Sequence, residues 1–395
     1  MRVLQVTREL PVDRRYGLGK SLAQLVEGLA KLGIASEAFC AGDLRPQDLE
    51  AASRRAQGWS AIYGAPLRAL FEIVSRAWET GVQAARIAKA QGFDRVHCHD
   101  AVVAHGYVHA ARPNLVPFGI TQHAFNSIAV SLENYVLPVG EVVGRRIAAA
   151  ERQVLEQARW VIFPTGLGSQ VLLSQLGLLP TSINQHVIPH AKPNWQRLST
   201  ADARRQLDWA HKEQVLLAVG QLIPLKRMEW IVRALGSLAG WELVVLGEGD
   251  AQALFDAADA SGARRPLITA TDRPWLYYAA ADAFASASAT ESFGMAHLEA
   301  MWSGLAIACT PAGGVPEVLG DSGKLLPDDA EGFAAGLSEF LSEERAVERA
   351  RHRRMALERG IHWPDMVAVA RRHALAYECA DVRPIEAASF QEFLG

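Results

Sequence analysis

Glu291 and Glu299 are the residues of this chain whose type and spacing most clearly suggest chemistry. Both lie in the segment Ala289-Thr-Glu-Ser-Phe-Gly-Met-Ala-His-Leu-Glu-Ala-Met-Trp-Ser-Gly304, which follows a strand-like run of small residues and has a helical pattern. Glu291 is expected where the loop meets the helix, and Glu299 about two turns further along. A carboxylate in the second position can accept two hydrogen bonds from vicinal hydroxyls of a sugar. From spacing alone, the alternative is that both glutamates face solvent.

The start of the same helix is a candidate anion site. The first backbone N–H groups of a helix have no intrahelical acceptor and point outwards. Here these groups belong to Phe293, Gly294 and Met295. A phosphate group is therefore the kind of ligand that this segment would hold.

The complete motif resembles the retaining glycosyltransferases of family 4, which have the GT-B fold. The features that carry the resemblance are Phe-Gly after the first glutamate, Glu-Ala-Met at the second, and Gly304. The run from Thr310 to Glu317, Thr-Pro-Ala-Gly-Gly-Val-Pro-Glu, is similar to the next loop of that family. The segment Val187-Ile-Pro-His-Ala191 resembles the one that closes the family's first domain, with His190-Ala191 in place of Asn-Gly. The resemblance covers residues 1–330 and is stronger in the second half.

The loop Val219-Gly-Gln-Leu-Ile-Pro-Leu-Lys-Arg-Met228 resembles the family loop that clamps the donor diphosphate. Gly220 and Lys226 match the family pattern. Gln221 stands where the family has an arginine, and Arg227 stands where it has a glycine. The resemblance therefore implies that Lys226 binds the diphosphate and that one fixed charge is lost, unless Arg227 replaces it.

Two further glycine-containing segments resemble family loops near the nucleotide or the phosphates. Gly247 lies in Val244-Val-Leu-Gly-Glu-Gly249, where the glycines favour either phosphate binding or close packing. Gly17 and Gly19 lie in Tyr16-Gly-Leu-Gly-Lys20, and their lack of a side chain would let backbone amides approach a phosphate. Taken alone, these two glycines also fit a turn without a ligand.

Histidines supply the candidate residues of the first half. His97-Cys-His-Asp100 ends a predicted strand, so His97 and His99 share a face, and a metal site is one alternative. The resemblance instead places His99 and Asp100 on the acceptor side and makes His123 the residue that touches the donor sugar. A structural histidine is the other interpretation of His123.

The hydrophobic pattern predicts two Rossmann-like, doubly wound α/β domains with parallel sheets, facing a central cleft as in GT-B enzymes. Strand-like runs alternate with amphipathic stretches along the chain. The predicted strands are Val3–Thr7, Ile34–Ala41, Arg95–Cys98, Val116–Thr121, Trp160–Pro164, Val215–Val219, Glu242–Leu246, Leu267–Thr269, Ala283–Ala285 and Leu305–Cys309. An acceptor-side domain is expected over residues 1–195 and a nucleotide-sugar-binding domain over 196–363. The helical segment 364–395 is expected to cross back to the first domain. Helices are predicted from Ser21 to Lys31, and around 66–91 and 140–157.

Composition limits the class of protein. With 395 residues, 40 basic and 43 acidic side chains, the chain is too large for one typical domain and too balanced in charge for a general nucleic-acid binder. Cys40, Cys98, Cys309 and Cys379 are scattered, which favours a reduced cytoplasmic compartment. No apolar run reaches the ~18 residues that span a bilayer. The basic, amphipathic stretch 66–91 suggests docking on the inner face of the plasma membrane as an alternative to core packing.

The resulting hypothesis is a retaining, metal-independent hexosyltransferase with no cofactor besides its substrates. A UDP- or GDP-linked sugar would be the donor and a glycan or lipid-linked hydroxyl the acceptor, in bacterial polysaccharide or lipopolysaccharide synthesis. Lys226, Glu291 and His123 would be the catalytic residues, and Glu299 would hold the ribose. The alternatives are a GT-B epimerase or phosphorylase and a non-catalytic nucleotide-sugar-binding subunit. A dehydrogenase is disfavoured because Leu22 stands where GxGxxG needs its third glycine.

Overall fold

The computed structural model describes residues 1–8, 17–112, 115–134, 139–236 and 238–378. It divides into two compact units. Unit 1 consists of Met1–Ala191 and Met366–Gly395, and unit 2 consists of Lys192–Asp365. Tyr16, Cys379 and the segment 379–395 lie outside the described residues.

Unit 1 is built on a six-stranded parallel sheet with the order β2-β1-β3-β4-β5-β6. Its strands are β1 (Arg2–Thr7), β2 (Ala35–Cys40), β3 (Arg95–Cys98), β4 (Phe118–Thr121), β5 (Val161–Phe163) and β6 (Gln185–Val187). Strands β3, β4 and β5 are almost wholly buried because helices cover both faces of the sheet. This confirms the predicted parallel α/β class, although β6 was not predicted.

The first seven helices surround this sheet. They are α1 (Gly17–Lys31), α2 (Pro46–Tyr63), α3 (Arg68–Gln91), α4 (Ala101–Ala111), α5 (Ile128–Asn134), α6 (Glu141–Gln157) and α7 (Gly166–Gln175). Helix α1 begins four residues before the predicted start, so Gly17 and Gly19 form its first turn and are not part of a loop. Gly19 is buried there.

The amphipathic helix α3 packs into unit 1 with its apolar side. Leu70, Phe71, Val74 and Trp78 are buried in the core. A Cβ atom on Gly81 would lie 1.9 Å from the carbonyl oxygen of Val103, so α3 and α4 approach at backbone distance. These four apolar residues are therefore core residues, whereas Ile73 of the same helix is 42% exposed. The packing of the apolar side gives the prediction of membrane docking no support.

Unit 2 has a second six-stranded parallel sheet, with the order β12-β11-β10-β7-β8-β9. Its strands are β7 (Gln214–Val219), β8 (Trp241–Leu246), β9 (Leu267–Thr269), β10 (Ala283–Ser286), β11 (Ala306–Cys309) and β12 (Lys324–Leu325). All but the two-residue β12 were predicted. Strands β7, β8, β10 and β11 are rich in buried Leu, Val, Ile and Ala, as strands covered on both faces require.

The described residues of unit 2 form eight helices. They are α8 (Thr200–Gln206), α9 (Met228–Leu235), α10 (Gln252–Ser261), α11 (Pro274–Ala280), α12 (Met295–Ser303), α13 (Val315–Leu319), α14 (Ala330–Leu341) and α15 (Ala346–His362). Among the described residues, none of the helices of either unit combines the length and apolarity needed to cross a membrane.

The last described helix, α16 (Met366–Glu378), belongs to unit 1. It packs against α1, where a Cβ atom on Gly28 would lie 2.5 Å from the carbonyl oxygen of Met366. Tyr377 near its end is fully buried and contacts the rings of Trp160 and His97. After the last residue of unit 2, the chain therefore returns to unit 1.

Candidate active site

Lys226 and Glu291 form an ion pair at the carboxyl ends of two neighbouring strands of unit 2. Lys226 follows β7 at the end of a short 3₁₀ turn, and Glu291 lies between β10 and α12. Because β7 and β10 pair in parallel, their following loops meet, and the N–H of Ala289 donates to the carbonyl oxygen of Leu225 at 2.8 Å. The Lys226 Nζ donates to Glu291 Oε1 at 2.5 Å. Both side chains retain about a fifth of their surface, with 22% and 21% exposed.

The surroundings keep Glu291 ionised. Burial would raise the pKa of this carboxyl, but the opposing effects of Lys226, His297 and the Ser288 hydroxyl hold it below its usual value. The Ser288 Oγ donates to Glu291 Oε1 at 3.0 Å. The result is a fixed carboxylate beside a fixed ammonium group, both partly open to a ligand.

His297 lies behind this pair and was not predicted as a site residue. It belongs to the first turn of α12 and is buried, and burial lowers its pKa to about 4. Neither ring nitrogen has a hydrogen-bond partner within the part of the chain that the structure describes. The residue stands inside the Glu-x7-Glu segment, so its position was available from the sequence, whereas its proximity to Glu291 was not.

Glu299 is almost completely buried, whereas a residue that binds a ribose is expected to be partly exposed. It is 2% exposed, and its Oε2 accepts a hydrogen bond from the Tyr278 hydroxyl at 2.8 Å. Burial and the Glu299 carboxylate raise the pKa of Tyr278, so this hydroxyl stays protonated and donates. Neither glutamate of the motif is solvent-facing, and Tyr278 is a further site neighbour that sequence reasoning missed.

Glycines allow the loops around the ion pair to touch at backbone distance. A Cβ atom on Gly247 would lie 1.8 Å from the carbonyl oxygen of Gly220, and one on Gly313 would lie 2.0 Å from that of Glu291. Gly247 therefore serves close packing of the β7 and β8 loops, the second of the two meanings its pattern allowed. Gly313 belongs to the Thr310–Glu317 motif and was not predicted as a site residue. Its lack of a side chain lets its loop pack against the backbone of Glu291.

Arg227 occupies a left-handed backbone conformation with φ 45° and ψ 38°. This is the region that glycine adopts most easily. Its guanidinium donates to Asp328 Oδ1 at 2.5 Å and lies 4.5 Å from the centre of the Trp230 ring. The charge expected to replace the missing arginine at Gln221 is thus paired with a carboxylate, while Gln221 itself is exposed.

The start of α12 has the geometry expected from its sequence. The helix begins at Met295, after Gly294 in a left-handed conformation with φ 88°. The N–H of His297 donates to the carbonyl oxygen of Gly294 at 3.0 Å, so Met295 and Ala296 are the first-turn residues whose N–H groups precede the intrahelical hydrogen bonds. The Phe293 side chain is buried and contacts the Trp363 ring edge to face, so only its backbone is suited to contact an anion.

A second group of candidate residues follows β3 and β4 in unit 1. His99 Nδ1 lies 2.9 Å from His123 Nε2, and the two rings stack with centroids 5.2 Å apart. Burial lowers the pKa of His99 to about 3, and burial together with neighbouring histidines lowers that of His123 well below its usual value. Both imidazoles are therefore neutral at pH 7.

His97 and Asp100 are engaged by the protein itself. The two ring nitrogens of His97 lie 2.8 Å from the Tyr377 hydroxyl and 2.7 Å from the Thr121 hydroxyl. Asp100 caps α4, where its Oδ1 accepts from the N–H of Val102 at 2.7 Å. Among the described residues, no cluster of three His, Cys, Asp or Glu side chains is arranged to hold a metal ion.

His190 replaces the asparagine of the related family segment and joins the histidine group. Its ring is parallel to that of His123 at a centroid distance of 5.4 Å, and its Nδ1 lies 2.7 Å from the Ser21 hydroxyl of α1. Ser21, His99, His123, His190 and His373 line one pocket of unit 1. Sequence reasoning singled out His190 only as a departure from the family pattern.

A buried carboxyl group holds the loop that carries His123. Glu151 of α6 accepts hydrogen bonds from the Gln122 side chain and from the N–H of Ile128, both at 2.8 Å. These partners flank His123 on either side. Burial raises the pKa of Glu151 to about 8. This residue was also missed, because a lone glutamate in a helix gives no signal of what it bonds.

Two family models match separate parts of the chain. One, described as Glycosyltransferase Family 4, matches residues 16–191, and the other, described as Glycosyl transferases group 1, matches residues 213–343. The first corresponds to most of unit 1 and the second to most of unit 2. Together they span most of the chain.

Individual relatives agree with these matches. The O-antigen chain mannosyltransferase B of Escherichia coli is 32% identical over 151 residues, which are 38% of this chain and 38% of that protein, so the match spans well under half of the relative. The D-inositol 3-phosphate glycosyltransferase of Mycolicibacterium smegmatis is 28% identical over 80% of this chain and 76% of its own length.

Solved structures share the architecture. The crystal structure of Anabaena HepE in complex with UDP-glucose superposes with a TM-score of 0.71 and 16% identity, covering 96% of this chain and 99% of that one. At this identity the likeness shows the fold alone. With its two parallel α/β units and its two family matches, the chain belongs to the family 4 glycosyltransferases and has their GT-B fold.

Proposed function

We propose that this protein transfers a hexose from a nucleotide diphosphate sugar to a hydroxyl group of a glycan or lipid-linked acceptor, with retention of anomeric configuration and without a metal ion. The observation that carries the proposal is the contact between Lys226 and Glu291. It puts a cation and a carboxylate side by side at the carboxyl ends of parallel strands, where α/β sheets bind their ligands.

Each partner of the pair suits a different part of such a donor. A diphosphate needs a cation and N–H donors, which Lys226 and the first turn of α12 would supply. Glu291 carries a charge but no proton, so it can only accept hydrogen bonds, and sugar hydroxyls are donors. Gln221 and the paired Arg227 leave Lys226 as the main cation of this loop.

The chemical step follows from these roles. The bond between the anomeric carbon and the diphosphate oxygen breaks, and a bond from the same carbon to the acceptor oxygen forms on the same face. The acceptor proton passes to the departing diphosphate, whose developing charge Lys226 stabilises. His123 would orient the donor sugar, and Glu299 would bind the ribose.

Several relatives support the kind of substrate proposed. Anabaena HepE was crystallised with UDP-glucose, and the name of the Escherichia coli relative refers to O-antigen and mannose. We therefore favour a hexose donor and an acceptor in cell-surface polysaccharide or lipopolysaccharide synthesis. The proposed setting is the cytoplasm, at the inner face of the plasma membrane for a lipid-linked acceptor.

A donor panel tests the proposal directly. The full chain is incubated with UDP- and GDP-linked hexoses, with and without glycan acceptors, and nucleotide release is measured with product stereochemistry by NMR. The expected result is acceptor-dependent release of nucleoside diphosphate with the anomeric configuration kept. Sugar interconversion without an acceptor would mean an epimerase, and tight binding without any turnover would mean a non-catalytic subunit. Either outcome would overturn the proposal.

A further inference from the structure

Three side chains of unit 1 form a hydrogen-bonded row that ends at His123. The Oε1 of Gln5, in β1, lies 2.8 Å from His99 Nε2. The other nitrogen of His99 lies 2.9 Å from His123 Nε2. Gln5 is fully buried and His99 nearly so. In such a dry row, each proton must have a definite place.

The chemistry of the groups assigns these protons. A neutral imidazole has one N–H donor and one bare acceptor nitrogen. Because the Gln5 oxygen can only accept, His99 must carry its proton on Nε2, and its Nδ1 is bare. His123 must then donate from Nε2 to His99, which leaves Nδ1 of His123 without a proton.

The orientation of the Gln5 amide is the premise of this assignment. Its Nε2 lies 3.1 Å from the Ser36 hydroxyl and 3.5 Å from the Tyr377 hydroxyl. The same Tyr377 oxygen lies 2.8 Å from His97 Nδ1. A phenol has one proton, and a bare imidazole nitrogen is its better acceptor, so we assign that proton to the bond with His97 Nδ1. The Tyr377 oxygen is therefore left to accept from Gln5, so the amide nitrogen faces it and the amide oxygen faces His99.

The ring of His123 is held from a second side as well. His190 stacks parallel to it with an interplanar angle of 2°, and is itself bonded to Ser21. His123 lines the pocket that these residues share. Neighbouring residues thus fix both the ring plane of His123 and the position of its single proton. The direction in which the bare Nδ1 points is therefore fixed as well.

We propose that Gln5 and His99 are positioning residues that hold His123 in the tautomer protonated on Nε2, so that its bare Nδ1 accepts a hydrogen bond from a hydroxyl group of the bound sugar. This inference rests on the proposed function, in which His123 contacts a sugar. It adds that the contact has a fixed direction. A ligand with an ether or carbonyl oxygen at that point is rejected, because two acceptors would face each other.

Nitrogen NMR of the ligand-free protein tests the tautomers without any turnover. Ring nitrogens of ¹⁵N-histidine-labelled protein are correlated with the ring protons, and His99→Phe and His123→Phe variants assign the signals. The expected result is a protonated Nε2 and a bare Nδ1 on both residues. A proton on Nδ1 of either ring would overturn the proposal, even if the protein proved to be an active glycosyltransferase.

Two matched variants of the row test the positioning role. Gln5→Met removes the oxygen that fixes His99 and keeps the side chain at nearly constant size. Ser36→Ala removes one of the two bonds of the amide nitrogen and leaves that oxygen in place. We expect Gln5→Met to give mixed tautomers of His123 and to raise the KM for the donor about tenfold with a smaller effect on kcat. Ser36→Ala should change neither. Equal effects of both variants would mean that Gln5 acts only through stability.

The two tests separate this inference from the proposed function. If the tautomers are as expected but no nucleotide sugar binds or reacts, the function is wrong and the hydrogen-bonded row stands. If sugars are transferred while His123 carries its proton on Nδ1, the function stands and the row is wrong. If the ring-nitrogen chemical shifts of His99 and His123 did not change in Gln5→Met, the proposal that Gln5 sets their tautomers would also be wrong.

Discussion

The two units place opposite electrostatics at equivalent positions of similar sheets. After β3 and β4, unit 1 has buried histidine rings that face one another, so a proton on one ring would be repelled by the others. After β7 and β10, unit 2 has the ion pair of Lys226 and Glu291. The first arrangement offers hydrogen bonds of fixed direction, and the second offers charge. The same fold thus provides an uncharged site and a charged one, according to which side chains end its strands.

Removing the charge from unit 2 is expected to have the largest effect. Lys226→Ala leaves Glu291 with an uncompensated charge and removes the cation proposed for the diphosphate. We expect kcat to fall about 100- to 1000-fold, the range for loss of one preorganised donor. Single-turnover rates at saturating donor measure this effect.

Lys324→Ala is the control for that variant. Lys324 also belongs to unit 2 and pairs with a glutamate, Glu348, at 3.2 Å on the exposed surface. Its removal should leave turnover within twofold of the wild type, since exposed ion pairs contribute about 1 kcal/mol or less. Wild-type turnover in Lys226→Ala would remove Lys226 from the mechanism.

Acid should disturb unit 1 through its histidines. His99 and His373 each have a pKa of about 3 in the folded protein, because burial disfavours the imidazolium. In the unfolded chain a histidine binds its proton near pH 6.5. The stabilisation from a lowered pKa is thus complete above pH 6.5 and is lost as the pH falls towards 3. For each residue, the free energy of unfolding should fall by about 2 kcal/mol between pH 7.5 and 5.

His373→Phe isolates one of these contributions. The variant keeps an aromatic ring in the core but removes the titrating group. Hydrogen exchange of the β3 and β4 amides, corrected for intrinsic rates, should show a pH dependence weaker by about 2 kcal/mol over this range. An unchanged pH dependence would mean that His373 is not kept neutral by its surroundings.

The affinity for the donor tests the role of Glu299 in unit 2. If Glu299 binds the ribose, Glu299→Ala should weaken donor binding about tenfold while kcat at saturation changes little. Tyr278→Phe is the matched control, because it breaks the same hydrogen bond but leaves the carboxylate. Isothermal titration with the donor distinguishes the two. Equal losses of affinity would give Glu299 a structural role and leave the ribose without an assigned partner.

The sequence predicted strands such as β1 and β7 well because their burial on both faces leaves apolar runs. Strand β9 was also predicted from its apolar residues, although Leu267 at its start is 45% exposed. It predicted β6 and β12 poorly, since two or three residues carry too little pattern. The apolar stripe of α3 was visible, but the sequence alone could not show whether that stripe meets a membrane or the core.

Site residues divide in a similar way. The spacing of Glu291 and Glu299 and the type of Lys226 were visible in the sequence, because a motif keeps them in a recognisable order. The roles of Ser288, His297 and Tyr278 depend on contacts made only after folding. The direction of each proton in the Gln5–His99–His123 row also depends on side chains that lie in β1 and just after β3 and β4, and no spacing rule relates these positions.

Arg227 gives the smallest predicted effect and tests why the related loop has glycine at this position. Arg227→Ala and Arg227→Gly both remove the bonds to Asp328 and the contact with Trp230, so they differ only in the backbone. At φ 45°, glycine should make unit 2 more stable than alanine by about 1 kcal/mol. At the exposed helical residue Arg233 of α9, the order should reverse, with alanine more stable by about 0.5–1 kcal/mol. Denaturant unfolding of the four variants measures both differences. The same order at both positions would show that the backbone of Arg227 is not strained, and that arginine occupies this site without a conformational penalty.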